Sequence, residues 1–175
     1  MNFDNFVFHD DLEAELSLLL GKPEKKQIIS RKNAYHGSTV AAASLGGMKP
    51  MHRQSGLPIP GIEHIDQPYW FGSDRSLSPD EFGLATARAL EEKIHEIGAD
   101  KVAAFIGEPV QGAGGVIIPP DTYWPEIQRI CDEYDILLII DDIQVGNGRT
   151  GTFFSFEEAG IKPDMICLSK SIVGG

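Results

Sequence analysis

The sequence predicts an α/β fold with a mainly parallel sheet and flanking helices. Three short apolar runs, at 102–107, 136–140 and 165–169, are continuous rather than alternating, as in strands that are covered on both faces. A helical pattern precedes the first run, and another lies between the first run and the second. Because strands that alternate with helices are joined by crossovers, we expect the strands to run parallel.

The first part of the chain predicts a helix, a strand and a second, smaller helix. Leucines at helical spacing in an acidic segment predict a short helix over 12–20. KQIIS (26–30) is predicted to be a strand, and Ser38 is expected to cap a small helix that ends at Gly46. Residues 48–77 are rich in proline, glycine and aromatic residues, and we predict that they are irregular.

Residues 78–81 have the sequence pattern of a helix N-terminus and predict that a long helix begins there. Ser78 and Glu81 have the spacing of a capping box, and Pro79 occupies the first helical position between them. Another helix is predicted at 122–134, with Asp121 as its N-cap. The face of the long helix that we expect to be buried consists of Phe82, Ala85, Ala89, Leu90, Ile94 and Ile97.

Composition narrows the class of function. The 175 residues include 26 acidic and 15 basic ones, a net charge of -11, with no cluster of Lys and Arg. This balance argues against nucleic-acid and anionic-membrane binding and favours small-molecule chemistry. No apolar run approaches the roughly 20 residues of a membrane helix, and no leader pattern opens the chain, so a cytoplasmic location is expected. Cys131 and Cys167 lie in apolar segments and are expected to be buried free thiols.

A G-x-G-x-x-G pattern at Gly146, Gly148 and Gly151 follows the predicted strand 136–140. It does not fit a dinucleotide site, because the residues after it are β-branched and aromatic and do not resemble a helix start. A nucleoside-triphosphate-binding site would need a G-x-x-x-x-G-K-[ST] loop, which the sequence lacks. What remains is a carboxylate at the carboxyl end of a parallel strand, where α/β sheets bind ligands. Asp141 and Asp142 are expected to point to opposite faces, and a purely turn-forming role for the pair stays open.

Four segments, taken together, carry a family resemblance. They are ISRKNAYHGST (29–39), FIGEPVQGAGGVIIPP (105–120), ILLIIDDIQVGNGRTG (136–151) and GIKPDMICLSKS (160–171). In this order and at this spacing they resemble the class III, pyridoxal-phosphate-dependent aminotransferases of fold type I, over about residues 22–175. The resemblance implies part of the large domain of a fold type I transferase, with pyridoxal 5'-phosphate (PLP) as cofactor and no metal.

Two residues match the positions that contact the reactive parts of the cofactor in that family. Asp141 matches the aspartate that keeps the cofactor's ring nitrogen protonated, since a nearby carboxylate favours the charged pyridinium. Lys170 matches the lysine that binds the cofactor covalently and later moves a proton on the substrate carbon. These roles are implied by the resemblance, because a lysine at a strand end is by itself an ordinary solvated residue.

Five further residues match supporting positions of the family. Tyr35 matches the aromatic residue that stacks on one face of the cofactor ring, and Ile143 matches the aliphatic residue on the other face. Gln144 matches a residue near the phenolic oxygen of the cofactor. His36 and Glu108 resemble supports that lie behind these contacts.

The resemblance also sets expectations about the extent of the domain. Residues 1–21 form an acidic segment without the Gly-Ser phosphate loop of the family, and 22–175 match part of the large domain, without the C-terminal small domain. The chain is therefore expected to correspond to the middle of a longer enzyme. Family members build the site at a dimer interface, so a homodimer is expected. Arg149 is expected to be an ion-pairing scaffold residue.

The substrate is implied only as a class. Up to about residue 130 the chain resembles polyamine and ω-amino-acid:pyruvate aminotransferases, and over 136–175 it resembles diaminobutyrate:2-oxoglutarate aminotransferases. Both branches imply transfer of a terminal amino group, from a donor such as putrescine or diaminobutyrate, to a keto acid. Ala113 stands where relatives that use 2-oxoglutarate carry a glutamate, which favours pyruvate. The alternative is a catalytically inactive fragment that serves as an interaction protein.

Overall fold

The computed structural model of the protein describes residues 21–53 and 56–172. Five strands form one sheet in the order β2-β1-β3-β4-β5, and each neighbouring pair is parallel. The predicted α/β class with a parallel sheet is confirmed. The helix predicted over 12–20 lies outside the described residues. The strands are β1 (Gln27–Arg31), β2 (Ile62–Ile65), β3 (Val102–Gly107), β4 (Leu137–Asp141) and β5 (Met165–Cys167).

Four α-helices and three single turns of 3-10 helix connect the strands in the described part of the chain. The helices are α1 (Val40–Leu45), α2 (Lys49–His52), α3 (Pro79–Ile97) and α4 (Tyr123–Tyr134). The 3-10 turns are Trp70–Gly72, Ser155–Glu157 and Lys170–Ile172. The last of these turns directly follows β5 and begins with the lysine that the sequence motifs single out.

Helix α3 begins as predicted, with the complete capping box of Ser78 and Glu81. The predicted buried face is wrong at Ala85, which is exposed, because Ala85 lies about 200° round the helix from the buried Gly83. Gly83 contacts the start of α4, since a β-carbon there would lie 2.3 Å from Thr122 Oγ1. The buried stripe is Gly83, Thr86, Ala87, Leu90 and Ile94.

Two predicted N-caps are each displaced by one residue. Thr39 caps α1 in place of Ser38, and its hydroxyl accepts a hydrogen bond from the Ala42 backbone at 3.3 Å. Thr122 precedes α4 in place of Asp121, but it donates to the Asp80 carbonyl at 2.8 Å and makes no capping bond. In the second case a contact between helices decides where the helix begins.

The prediction of an irregular segment over 48–77 is wrong, because this stretch contains α2 and the edge strand β2. The strand is only four residues long and carries Glu63 and His64 in its middle, so it shows no apolar run. It pairs with β1 in parallel, with Ser30 opposite His64. An edge strand tolerates such polar residues because one side of it has no neighbouring strand.

Alternate residues of the strands fill two apolar layers. On one face the strands pack against α3 and α4, through Ile29, Phe105, Leu138, Ile140, Leu90, Ile94, Ile127 and Ile130. On the other face Ile28, Ile106 and Ile139 pack with Leu45 of α1. These layers fix the strands relative to one another, and thereby fix the positions of the residues at their carboxyl ends.

The two cysteines are free and buried, as predicted. Burial raises the pKa of the Cys131 thiol, and it raises the pKa of Cys167 to about 12. Within the described part of the chain, no helix is both long and apolar enough to cross a lipid bilayer.

Candidate active site

The seven residues singled out by the sequence motifs line one open cleft at the carboxyl edge of the sheet. The cleft has a volume of about 180 Å³. The residues follow or end four different strands, and the parallel topology brings those strand ends together. Tyr35 and His36 come after β1, Glu108 after β3, Asp141, Ile143 and Gln144 at and after β4, and Lys170 after β5.

Asp141, the last residue of β4, presents an oriented and buried carboxylate. Only 5% of the residue is exposed. Its Oδ2 lies 2.7 Å from His36 Nδ1, and its Oδ1 accepts a hydrogen bond from the Ile143 backbone at 3.3 Å. A buried carboxylate held from two sides has a fixed direction, as an acceptor for a positively charged N-H group requires.

His36 is buried behind Asp141, with its side chain 1% exposed. Its second ring nitrogen, Nε2, lies 3.2 Å from the hydroxyl of Ser30. Both nitrogens of the ring therefore have partners, and the ring is fixed in its plane. The predicted supporting position of His36 corresponds to a direct contact with the Asp141 carboxylate.

Glu108 bridges two loops of the cleft. Its Oε1 accepts from the Tyr35 backbone N-H and its Oε2 from the Gly112 backbone N-H, each at 3.1 Å. Burial raises the pKa of Glu108, and the nearby His36 opposes this shift only in part. Glu108 thus ties the loop that carries Tyr35 to the loop that follows β3.

Lys170 stands at the mouth of the cleft with its amine directed by Gln144. Lys170 Nζ donates to Gln144 Oε1 at 2.8 Å. The backbone of Lys170 has φ of +52°, in the left-handed region that non-glycine residues seldom adopt. Such a conformation persists only where the surroundings hold it, and it is frequent at functional sites.

Two apolar walls complete the cleft. Tyr35 is 38% exposed, so part of its ring surface is accessible from the cleft that it lines. Ile143 is partly buried and packs against the core layer that contains Ile139. The cleft therefore offers an aromatic side chain and an aliphatic side chain together with an acid and an amine.

Asp142 points away from the cleft, as period-two geometry predicts. Its carboxylate accepts hydrogen bonds from the backbone and the hydroxyl of Ser155. Burial raises the pKa of Asp142, although the bonds from Ser155 favour its charged form. Asp141 thus lines the cleft, and Asp142 connects the end of β4 to Ser155 outside the cleft.

The glycine pattern after β4 forms a scaffold turn and does not open an α-helix. Gly146 N-H donates to the Asp142 carbonyl at 3.0 Å, and Asn147 N-H donates to the Phe153 carbonyl at 2.8 Å. The expected ion pair of Arg149 is absent among the described residues. Arg149 instead donates to Ser171 Oγ at 2.7 Å, since this hydroxyl is brought beside it by the turn that carries Lys170.

Sequence reasoning missed two buried polar residues at the end of β1. Ser30 contacts His36, and Arg31 donates to the Glu108 carbonyl from a position beside the rings of Tyr123 and Trp124, 5.8 and 5.3 Å from their centres. The available signal was a polar pair at the end of an apolar strand, a few residues before His36.

A parallel sheet that gathers an acid, an amine and an aromatic side chain round a cleft at its carboxyl edge is typical of a small-molecule site in an α/β fold. The family follows from a direct match. The family Aminotransferase class-III matches residues 15–175, and the chain belongs to this family. Class III aminotransferases depend on PLP. The resemblance read from the four motifs is therefore confirmed.

Two curated relatives and one solved structure illustrate the match. The chain is 56% identical over 155 residues to the putrescine-pyruvate aminotransferase of Pseudomonas aeruginosa, covering 89% of this chain and 34% of the relative. It is 46% identical over 157 residues to the diaminobutyrate-2-oxoglutarate transaminase of Halomonas elongata, covering 88% and 34%. The chain thus spans about a third of the length of these relatives.

The structural match supports the same family. An omega transaminase from Pseudomonas jessenii, solved in complex with PMP, superposes with a TM-score of 0.89 at 46% identity. The superposition covers 93% of this chain and 36% of that structure. The fold type I prediction is confirmed, because the structural neighbours are transaminases of that fold.

Proposed function

We propose that this chain carries the cofactor site of a PLP-dependent transaminase that moves a terminal amino group from a diamine, a diamino acid or an ω-amino acid to a keto acid. The observation that carries the proposal is the convergence of Asp141 and Lys170 on one cleft. The two residues lie 29 positions apart and at the ends of neighbouring strands, paired in register at Asp141 and Cys167.

The side chains of the cleft fit the ring of the cofactor. A buried carboxylate suits a protonated ring nitrogen, a lysine amine suits an aldehyde, and an aromatic and an aliphatic side chain suit the two faces of a flat ring. When bound, PLP supplies an electron sink for the bonds of the substrate's amine-bearing carbon. Asp141, Lys170, Tyr35 and Ile143 would hold it, with Gln144, His36 and Glu108 in support.

Each residue would then have a physical task. Asp141 would hold a proton at the ring nitrogen by charge attraction, and His36 would keep that carboxylate turned into the cleft. Lys170 in its neutral form would take a proton from the amine-bearing carbon of the substrate, and it would return one during the reverse half of the exchange. Gln144 directs the amine of Lys170 while Lys170 is free.

The donor and the acceptor are proposed by likeness. The relatives at 56% and 46% identity are named for putrescine with pyruvate and for diaminobutyrate with 2-oxoglutarate. A terminal primary amine is common to both donors, so we propose this group as the donor, with pyruvate as the first acceptor to test. The alternative of an inactive fragment with an interaction role is not favoured by any of the comparisons.

We further propose that the protein acts as a homodimer in the cytoplasm. The dimer follows from the family resemblance, and the location stays the expectation drawn from the sequence. Sedimentation of the protein with PLP would test the dimer, and a single monomeric species would contradict it.

The test of the proposed function is the visible absorption of the chain with added PLP. In the wild type we expect an absorption band of protein-bound PLP. This band should be lost in Lys170→Ala and retained in the matched control Lys162→Ala, since Lys162 is an exposed lysine away from the cleft. Asp141→Ala should weaken cofactor binding. Putrescine and diaminobutyrate should each change the wild-type band, and pyruvate or 2-oxoglutarate should restore it.

An equal band in wild type and Lys170→Ala would contradict the role of Lys170. An absorption band that depends on Lys170 but does not change with any terminal amine would contradict the proposed donor class. It would still support the proposed cofactor site.

A further inference from the structure

A chain of hydrogen bonds leads from the cleft into the interior of the sheet. Asp141 Oδ2 lies 2.7 Å from His36 Nδ1, and His36 Nε2 lies 3.2 Å from Ser30 Oγ. Ser30 has no exposed surface, and the exposed fraction of the His36 side chain is 1%. The three groups therefore form a buried polar line in an otherwise apolar region.

The order of serine, histidine and carboxylate is that of a serine hydrolase, but the burial of Ser30 rules out that chemistry. A nucleophilic hydroxyl must reach the substrate, and Ser30 lies within β1 between two other strands of the sheet. Its hydroxyl can act only on its neighbours inside the protein. The neighbour that it contacts is the imidazole of His36.

The direction of the two hydrogen bonds follows from the groups involved. An ionised carboxylate only accepts, so His36 Nδ1 must carry the hydrogen that points to Asp141. In a neutral imidazole the other nitrogen, Nε2, is then an acceptor, and the Ser30 hydroxyl is the donor that it needs. Ser30 thus favours the tautomer in which His36 donates to Asp141.

No other described residue is placed to replace Ser30 in this task. Residues on the same face of the sheet, such as Ile28, Ala104 and Ile106, are apolar. His64 stands opposite Ser30 in β2, but its Nε2 lies 3.2 and 3.1 Å from the carbonyls of Leu45 and Gly46. Loss of the Ser30 hydroxyl would leave a buried ring nitrogen without a partner.

Asp141 needs a ring N-H as its donor, but it could accept one from either nitrogen if the ring turned over, so Asp141 alone does not fix the tautomer. The other charged groups near His36 do not fix it either. Glu108, at the end of β3, interacts with His36 electrostatically, but its two oxygens bond to the backbone of Tyr35 and Gly112. Arg31 points to the opposite face and donates to the Glu108 carbonyl. Neither group has a hydrogen bond to the imidazole.

We infer that Ser30 is a positioning residue: its hydroxyl fixes the tautomer and the orientation of His36, and through His36 it aims the Asp141 carboxylate into the cleft. The inference rests on the proposed function for the part that concerns the cofactor. The part that concerns the tautomer of His36 stands without it.

The first readout is the nitrogen-15 spectrum of the histidine side chains in the full chain without cofactor. The protein has five histidines, so the His36 signals are assigned by their loss in His36→Gln. We expect the Nδ1-H tautomer in the wild type and a mixture of tautomers in Ser30→Ala. The matched control is Ser44→Ala, because Ser44 is also fully buried but bonds to the Val40 carbonyl and the Ile59 backbone.

The second readout is the affinity for PLP, measured by titration of the visible band. Loss of one neutral hydrogen bond in the supporting chain is expected to weaken binding by about two- to tenfold in Ser30→Ala. Ser30→Thr, which keeps the hydroxyl, should recover most of the affinity, and Ser44→Ala should leave it unchanged. Ser30→Ala with the wild-type tautomer of His36 would overturn the inference, as would an equal loss of affinity in Ser44→Ala.

The test also covers a Ser30→Ala protein that does not fold and a wild type that does not bind PLP. Should Ser30→Ala not fold, Ser30→Cys decides the question, because a thiol of similar shape is a much weaker donor: a changed tautomer supports the inference and an unchanged one overturns it. Should the wild type bind no PLP, the proposed function fails, while the tautomer measurement still tests the link from Ser30 to His36.

Discussion

Gly47 lies where the chain leaving α1 crosses the turn after β1, and Gly47→Ala tests how the cleft is supported. A β-carbon at Gly47 would lie 2.2 Å from the Arg31 carbonyl oxygen, 2.6 Å from Lys32 Cα and 2.8 Å from the Asn33 nitrogen. All three are backbone atoms, so no side chain can rotate to make room. Non-bonded carbon contacts are normally about 3.5–4.0 Å, so the turn must move by about 1 Å.

The energy of that movement sets the expected magnitude. Overpacking in a dense interior costs about 1–3 kcal/mol, and we expect the upper end because the backbone itself must shift. A loss of about 3 kcal/mol lowers the melting temperature of a domain of this size by about 6–12 °C. The same turn leads to Tyr35 and His36 and is bonded to Gly47 through Asn33 and Ala34, so PLP affinity should fall as well.

The assay is urea unfolding followed by circular dichroism, with Gly46→Ala as the matched control. Gly46 has φ of -60°, and a β-carbon there would meet its nearest atom, the Ala34 carbonyl oxygen, at 3.1 Å. We expect Gly46→Ala to change the free energy of unfolding by about 1 kcal/mol or less. A Gly47→Ala protein within about 1 kcal/mol of the wild type, or one no less stable than Gly46→Ala, would refute this reasoning.

Three other predictions concern the cap of α3, the buried acid of the cleft and the thiols. Ser78→Ala removes the side chain that accepts from Glu81 N-H and should cost about 1 kcal/mol in urea unfolding, against a few tenths for Ser78→Gly; equal losses would contradict the capping role. Burial raises the pKa of Glu108 above its ordinary value of 4.5, so its stabilising contribution is present at low pH and is lost as the pH rises through the folded-state pKa. The free energy of unfolding of the wild type relative to Glu108→Gln should therefore fall as the pH rises above the ordinary value of 4.5, and a difference that is constant with pH would contradict this prediction. Cys131 and Cys167 should react with an alkylating reagent more than about a hundredfold more slowly in the native chain than in urea, because both are buried and the pKa of each is raised; fast labelling of either cysteine in the native protein would show that it is accessible.

Local signals in the sequence predict some elements well. The capping box of Ser78 and Glu81 fixes the start of α3 without help from the rest of the fold. The continuous apolar runs of β3 and β4 identify buried strands, and period-two geometry separates Asp141 from Asp142. Each of these features depends on residues within a few positions of one another.

Other features depend on contacts that are distant along the chain. Strand β2 carries Glu63 and His64 and is a strand only because β1 lies beside it. Thr122 precedes α4 because it reaches Asp80, which is 42 positions away. The family motifs predict the residues of the cleft, but the contact of Arg31 with the Glu108 carbonyl becomes visible only when β1 is placed beside β3.

The cleft draws its residues from the ends of β1, β3, β4 and β5, and this has a consequence for assembly. A ligand bound there would contact the whole width of four strands at once, so it would bind only when all of them are in register. Its binding free energy would then add to the stability of these four strands as one unit. The cofactor would in this way stabilise the assembled strands, and a protein that retains bound cofactor would be one in which these strands are correctly assembled.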